Sequence, residues 1–96
     1  MKLAILASAT EASLQAEHAE KERIARLYES LQQLGGTIDV ALNLLGRHDY
    51  LFVIDIPDDI SEAFKVAATM IQAGGMRTET FVGIPVKAYA DIAARS

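Results

Sequence analysis

Residues 44–79 read LLGRHDYLFVIDIPDDISEAFKVAATMIQAGGMRTE, and this stretch decides the fold. The apolar run Tyr50–Ile56 predicts a strand that is covered on both faces, apart from Asp55. A polar turn at 46–49 separates it from an apolar run before it. Asp59 is a typical helix N-cap, with Glu62 three residues later as a capping box, and Gly74-Gly75 ends the helix. The order is therefore strand, turn, strand, helix and strand.

The residues before this stretch add a strand, a helix and another strand. Lys2–Ala9 is apolar at nearly every position, which favours a central strand. Thr10–Leu34 carries one apolar helix face in its second half, and Gly35-Gly36 ends the helix. Thr37–Leu45 alternates, which predicts a strand with one apolar face. That face consists of Ile38, Val40, Leu42 and Leu44.

The last third of the chain predicts a helix, a strand and a short terminal helix. The helix after Asp59 has an apolar stripe that we expect to be buried. Its members are Ile60, Ala63, Phe64, Ala67, Met70 and Ile71. Arg77–Val82 reads as the fourth strand. Pro85 suits the first turn of a C-terminal helix, with Tyr89 and Ile92 facing inward.

This βαββαβ order predicts an α+β fold whose first and third strands lie in the middle of a four-stranded antiparallel sheet. Right-handed crossovers place both helices on one face. The central strands are nevertheless apolar on both sides, and leaving such side chains in water forgoes roughly 1.5–3 kcal/mol each. We therefore expect a homodimer through the sheet faces. Pairing into larger rings is left open.

Composition limits the possible functions. The 96 residues predict a single domain, 1–96, and 51% of them are hydrophobic. The net charge of −4 and the pI near 5.0 argue against nucleic acid as a partner. No apolar stretch approaches the roughly 18 residues of a membrane span, and the run after Lys2 is too short for a signal peptide, so we expect a cytoplasmic protein. There is no cysteine and no cofactor motif, and we expect no cofactor.

Four segments give the chain a family resemblance over nearly its whole length. They are 34–36, 46–49, 57–59 and 75–80. The chain resembles the GYD-domain proteins, a small bacterial family with the ferredoxin-like, dimeric α+β barrel architecture. The family takes its name from a Gly-Tyr-Asp turn; here Gly46 and Asp49 match, and His48 stands where the tyrosine is expected. The resemblance implies a fold and an assembly, and no established activity.

His48 and Asp49 are the most suggestive candidates for chemistry. A carboxylate beside an imidazole can hold its tautomer and raise its basicity, as a general base requires. The alternative is that Asp49 accepts backbone N–H bonds within the turn and His48 is solvated. The sequence favours the second interpretation.

Further polar residues are weaker candidates. Arg77 and Glu79 share one face of the fourth strand and, with Asp55, could orient a carboxylate substrate or form a salt bridge between subunits, although an exposed pair of this kind usually has no function. Arg77 joins His48 and Asp49 in the predicted catalytic set. The predicted ligand-binding residues are Asp39, Asn43, Tyr50 and Glu79. Aromatic residues could line a pocket between helices and sheet, although such residues are more often plain core; they are Tyr28, Phe52, Phe64 and Tyr89.

Metal and serine chemistry are disfavoured. His18 and His48 are isolated, with no His-x-x-x-His spacing, so we expect no metal site. Ser8, Ser13 and Ser61 lack a nucleophile elbow, and nothing in the sequence indicates a serine triad.

Three functions remain open. The sequence favours a non-catalytic, self-associating domain that binds a small organic ligand or a partner, or acts as an accessory subunit. The alternative is a cofactor-independent isomerase or monooxygenase, with His48 as the base, Asp49 orienting it and Arg77 steadying an anionic intermediate; this rests on fold analogy. A regulatory module that associates with another enzyme is the third.

Overall fold

A computed structural model describes residues 1–10, 19–72 and 75–95. The elements, in chain order, are β1 (Lys2–Ala9), α1 (Ala19–Gln33), β2 (Thr37–Asn43), β3 (Tyr50–Asp55), α2 (Ile60–Gln72), β4 (Met76–Gly83) and α3 (Val86–Arg95). This confirms the predicted βαββαβ order and the terminal helix. Residues 11–18, within the predicted first helix, and Gly74 lie outside the described residues. No helix in the described ranges is long and apolar enough to cross a membrane.

The four strands form one antiparallel sheet in the order β2-β3-β1-β4. β1 and β3 occupy the middle, as predicted from their apolar character. Leu6 lies opposite Leu51 of β3 on one side and Glu79 of β4 on the other. Ser8 lies opposite Arg77. Since side chains alternate along a strand, this register puts Leu6, Ser8, Arg77 and Glu79 on the same face of the sheet.

The hydrophobic core lies between the sheet and helices α1 and α2. Every second residue of β1 is buried at Leu3, Ile5 and Ala7, and the same alternation occurs in β3. The helices contribute their own buried side chains, which are Leu27, Leu31, Ala63, Val66 and Met70. Both helices therefore cover the same sheet face, as the crossover rule predicts.

A β-bulge in β2 overturns the predicted apolar face of that strand. Ile38 lies opposite Ile54, and Val40 lies opposite Val53, so the register shifts at Asp39. An extra residue in one strand reverses the alternation beyond it. Ile38 therefore faces the helices, while Val40 and Leu42 lie on the open face of the sheet.

The α2 stripe is also corrected. The buried side chains of α2 are Ala63, Val66 and Met70. Ile60, Phe64 and Ile71 are exposed, with Phe64 exposing 73% of its area. The apolar arc of α2 is wider than the surface that the sheet covers, so one edge of the arc remains in water. This edge borders β4.

The C-terminal helix forms where Pro85 predicts it, but it does not face inward. The Tyr89 N–H donates to the Pro85 carbonyl at 3.1 Å, which closes the first turn. No residue of α3 is buried, and Tyr89 and Ile92 expose 64% and 53% of their areas. The prediction that these two side chains face the core is wrong.

The helix ends confirm the predicted caps in most details. Asp59 Oδ1 accepts hydrogen bonds from the Ser61 N–H at 2.9 Å and the Ser61 hydroxyl at 2.8 Å, so Asp59 is the N-cap of α2. The Glu62 carboxylate binds Lys65 Nζ at 3.0 Å rather than reaching back. At the end of α1, Gly35 has φ of 77° and Gly36 N–H donates to the Leu31 carbonyl at 3.0 Å, the pattern of a Schellman C-cap.

The open sheet face carries an apolar band across all four strands. Its members are Ala4, Leu6, Val40, Leu42, Leu51, Val53 and Phe81. Polar side chains lie at both ends of the band. Lys2, Asp39 and Asp55 form one end, where Lys2 Nζ lies 2.7 Å from Asp39 Oδ2 and 3.7 Å from Asp55 Oδ1.

Candidate functional site

The turn that precedes β3 is hydrogen-bonded to the end of β1. The Leu44 N–H donates to the Asp49 carbonyl at 2.8 Å, which closes the turn. The Asp49 N–H donates to the Ala7 carbonyl at 2.9 Å, and Asp49 Oδ2 accepts the Ala9 N–H at 2.7 Å. Gly46 has φ of 151°, a conformation that L side chains rarely adopt. This fixed turn places His48 over the end of the open sheet face.

His48 lies between two polar side chains from different strands. Its Nδ1 is 3.4 Å from Ser8 Oγ of β1, and its Nε2 is 3.7 Å from Glu79 Oε1 of β4. The imidazole side chain is only 19% exposed. A hydroxyl, an imidazole and a carboxylate thus lie in a row, in which the contact with Ser8 is a long hydrogen bond and the contact with Glu79 is too long for one.

These side chains line a cleft of about 310 Å³. Its lining residues are Leu6, Ser8, Arg47, His48, Arg77, Thr78 and Glu79. Among the described residues, the charged side chains that line the cleft are Arg47, Arg77 and Glu79. The balance favours an anion, and guanidinium groups bind carboxylates and phosphates through paired N–H donors. Leu6, from the apolar band, gives the cleft an apolar floor next to these charges.

The structure brings together three of the predicted site residues and separates the others. His48, Arg77 and Glu79 line the same cleft. The Asp49 carboxylate is engaged by β1, and the carboxylate near the imidazole is that of Glu79. The carboxylate beside the imidazole is thus that of Glu79 rather than that of Asp49. Asp49 does accept a backbone N–H bond, as the alternative expected, but the donor is Ala9 of β1 and not a residue of the turn.

The remaining predicted residues lie elsewhere. Asp39 and Asp55 belong to the Lys2 cluster at the opposite end of the open face. The hydrogen bond from Lys2 to Asp39 holds the pKa of the lysine above its usual value, and the two nearby carboxylates add to this effect. Asn43 lies opposite Tyr50 on the helix side of the sheet, and Tyr50 is buried with its ring stacked on Phe52 at 5.9 Å. The structure does not bring these residues into the His48 cleft.

Sequence reasoning missed Ser8 and Arg47 as site residues. Ser8 is the last outward-facing position of β1, and the antiparallel register with β4 sets it opposite Arg77. The alternation of β1 was the available signal, because it places Ser8 on the face of Leu6. Arg47 stands beside His48 in the turn and follows it into the cleft.

A metal site finds no support in the described ranges. Among those residues, no group of three or more histidine or acidic side chains converges. His18 lies outside them.

Two comparisons with known proteins bear on the identity of the chain. The sequence profile described as the GYD domain matches residues 4–93. No curated protein matches the sequence. Because the match extends over nearly the whole chain, the chain belongs to the GYD-domain family, as the resemblance at the turn and the caps predicted.

Proposed function

We propose that this GYD-domain chain is a self-associating, non-catalytic domain that binds a small organic anion in the His48 cleft. The observation that carries the proposal is the composition of the cleft wall. Of the described residues that line this space of about 310 Å³, Arg47 and Arg77 are basic and Glu79 is acidic. That volume is at the small end of the range for ligand sites, so it suits a compact molecule.

The surroundings of the cleft favour an organic anion over an inorganic one. Leu6 lies on the cleft floor and belongs to the apolar band, which continues through Leu51 and Val53. A ligand with a carboxylate at one end can pair with an arginine and lay its hydrocarbon part along this band. An inorganic anion gains only the first contact.

The apolar band also supports self-association through the sheet faces. Leu42 and Phe81 expose 51% and 53% of their areas in the single chain, and both lie on the open face. A second copy laid against this face removes the band from water, at about 25 cal/mol for each Å² of apolar surface. A second copy in this position also covers the cleft, because the cleft lies at the end of the apolar band. Larger rings and a cytoplasmic location in a bacterium remain predictions.

The ligand proposal is tested with benzoate and succinate, one apolar and one more highly charged small carboxylate. Binding is measured by isothermal titration calorimetry to the wild type, to Arg77→Gln and to Arg26→Gln. Arg26 is exposed on α1, away from the cleft, and serves as the matched control. We expect Arg77→Gln to weaken binding at least about tenfold, since a hydrogen bond to a charged group is worth about 1.5–3 kcal/mol, with Arg26→Gln unchanged. Equal weakening by both variants would show a nonspecific charge effect and overturn the proposal.

A second candidate function is a cofactor-independent enzyme acting on a small organic molecule. The row of Ser8, His48 and Glu79 is the observation that favours it. When a bound molecule shortens the 3.7 Å separation, Glu79 accepts the N–H of His48 Nε2, which leaves Nδ1 as the basic nitrogen beside Ser8. His48 then removes a proton from the bound molecule, directly or through the Ser8 hydroxyl, and Arg77 steadies the anion that forms.

This alternative is tested by solvent exchange. Levulinate and pyruvate, two small keto acids, are incubated in deuterium oxide with the wild type and with His48→Ala. Deuterium entry at the carbon next to the ketone is followed by NMR. Under the enzyme hypothesis the wild type accelerates exchange and His48→Ala does not, with an unchanged melting temperature. Equal rates for both proteins would favour the binding function.

A further inference from the structure

The net charge of the cleft depends on whether His48 carries a proton. Of the described residues that line the cleft, Arg47 and Arg77 are basic and Glu79 is acidic. Arginine and glutamate side chains stay charged throughout the neutral range, whereas a histidine side chain gains or loses its proton there. A proton on His48 therefore adds a positive charge to the wall of the proposed anion site.

Both ring nitrogens of His48 lie near an oxygen atom that can accept a hydrogen bond. Nδ1 is 3.4 Å from Ser8 Oγ, and Nε2 is 3.7 Å from Glu79 Oε1. The neutral ring carries hydrogen on one nitrogen, and the imidazolium carries hydrogen on both. A hydroxyl oxygen suits one of these N–H groups, and a carboxylate within ion-pair distance suits the other. The surroundings of the ring therefore accommodate its charged form.

Charged side chains from the turn and from β4 adjoin the imidazole and act on its charge in opposite directions. They are Arg47 and Asp49 of the turn and Arg77 and Glu79 of β4. The third neighbouring element, β1, presents the Ser8 hydroxyl. Like charges nearby disfavour the charged form of a titrating group, and opposite charges favour it. The two arginines therefore oppose protonation of the ring, and the two carboxylates support it.

A bound organic anion changes this balance in favour of the charged ring. Its carboxylate pairs with a guanidinium group, which offsets a positive charge that opposes protonation, and it brings a negative charge into the cleft. Water screens these charges weakly, because the imidazole side chain is only 19% exposed and Leu6 gives the cleft an apolar floor. The anion and the proton therefore each favour the binding of the other, as thermodynamic linkage requires.

We propose that the cleft takes up a proton together with its organic anion, and that His48 is the group that receives the proton. This coupling rests on the anion-binding function proposed above and regulates the affinity of the same site. The imidazolium pairs with the Glu79 carboxylate and so offsets the negative charge that opposes the ligand. The protonated cleft binds the anion more tightly than the deprotonated one. Affinity for the anion thus rises as the pH falls through the range in which histidine titrates.

Calorimetric titration with benzoate at about pH 8.5, 7 and 6 tests the coupling across the range in which histidine titrates. Benzoate stays ionised at each of these values, since carboxylic acids of its kind lose their proton at lower pH. The proteins are the wild type, His48→Gln and His18→Gln. Glutamine keeps a polar group at position 48 and carries no charge. His18 is the other histidine of the sequence, so its replacement is the matched control.

We expect the dissociation constant of the wild type to fall about fivefold between the highest and the lowest pH, as for a partly exposed charge pair. His18→Gln should show the same fall. The constant for His48→Gln should change by less than about twofold, because no imidazole remains in the cleft. Circular dichroism and thermal melting check that each variant is folded.

Proton NMR of the wild type gives a second measurement that needs no folded variant at position 48. The imidazole Cε1–H signals of the two histidines are followed against pH, with and without saturating benzoate, and assigned with His18→Gln. Benzoate should move the midpoint of the His48 titration to higher pH. An unmoved midpoint would overturn the coupling.

The calorimetry separates failure of this coupling from failure of the anion site. Benzoate that binds the wild type with the same affinity at every pH would overturn the coupling and leave the anion site in place. So would a pH dependence that His48→Gln retains, since another group would then receive the proton. Absence of benzoate binding at every pH would overturn both the site and its coupling.

Discussion

His48 Nε2 lies 3.7 Å from Glu79 Oε1. His48 belongs to the turn before β3 and Glu79 to the edge strand β4, and the two residues meet because the turn and β4 are both hydrogen-bonded to β1. The imidazole side chain is mostly covered, and that of Glu79 is half exposed. Among the described residues that line the cleft, Glu79 is the acidic one, so it opposes any anion that the arginines attract. Neutralising Glu79 should therefore strengthen anion binding, and neutralising an arginine should weaken it.

The Glu79→Gln variant should bind benzoate more tightly than the wild type. The expected gain is about 1 kcal/mol, roughly fivefold, as for a partly exposed charge pair. Binding by both proteins should weaken as salt rises from 0.05 to about 0.5 M, because the charges become screened. Calorimetric titration measures the affinities. Weaker binding by Glu79→Gln would contradict an anion site and would indicate that Glu79 itself holds the ligand.

Thr80→Val should stabilise the protein. Thr80 Oγ1 is buried and, within the described residues, has no hydrogen-bond partner. An unsatisfied buried polar group costs about 1–3 kcal/mol, and valine has nearly the same shape, so we expect a gain of about 1 kcal/mol and a melting temperature about 5 °C higher.

Thr69→Val is the control for this change. Thr69 Oγ1 is exposed and donates to the Lys65 carbonyl at 2.8 Å. Its replacement therefore removes a satisfied hydroxyl and should give no stabilisation. A rise of equal size in both variants would mean that β-branched apolar character, rather than the buried hydroxyl, sets the effect.

The fold was predictable from sequence because its signals are local and agree with one another. The caps at Asp59 and Gly35 and the apolar runs of β1 and β3 each identify an element without reference to the others. The bulge at Asp39 was not predictable, because an alternating sequence does not show where one strand contains an extra residue. The register shift appears only in the pairing of β2 with β3. The exposed edge of α2 was missed for a related reason: an apolar arc shows which residues can be buried, and the sheet decides which ones are.

The site was predictable only in part. His48 stood out as an imidazole in a polar turn, and Arg77 and Glu79 as alternate residues of one strand. The Asp49 carboxylate accepts a hydrogen bond from the end of β1. This contact fixes the turn and so decides which carboxylate lies near the imidazole. Ser8 and Glu79 are 71 residues apart in sequence, and only the antiparallel register brings their strands together.

Gly35→Ala should destabilise the protein by about 1–2 kcal/mol, because Gly35 has φ of 77° and a left-handed conformation costs an L residue about that much. The melting temperature should fall by about 5 °C or more. Gly83→Ala is the matched control, since an added Cβ there meets only the Lys2 carbonyl oxygen at 4.0 Å. Thermal unfolding compares the two variants. An equal loss at both positions would show that general backbone entropy, rather than the C-cap of α1, is responsible.

Acid should weaken the contribution of the Asp59 cap. Hydrogen bonds from the Ser61 N–H and hydroxyl hold the pKa of Asp59 below its usual value of 3.8. A lowered folded-state pKa adds stability that is present above the unfolded pKa and is lost as the pH falls through the folded one. Asp59→Ala should therefore melt lower than the wild type at pH 7, and the difference should close below about pH 3.8. Ser61→Ala keeps the N–H bond and should show a smaller difference. A gap that is independent of pH would contradict the role of the ionised cap.

Leu42→Asp should dissociate the proposed sheet-face dimer, whereas Leu45→Asp should not. Leu42 lies on the open face opposite Leu51, and Leu45 is fully exposed in the turn that follows β2. Leu42 is half exposed and Leu45 is fully exposed in the single chain, and neither belongs to the buried core, so only Leu42→Asp places a charge in the apolar band. Burying an unpaired carboxylate at a dimer contact should raise the dimer dissociation constant at least about tenfold. Native mass spectrometry and sedimentation over a concentration series measure that constant. A wild type that is monomeric at all concentrations, or a Leu42→Asp variant that dimerises as well as Leu45→Asp, would contradict association through this face.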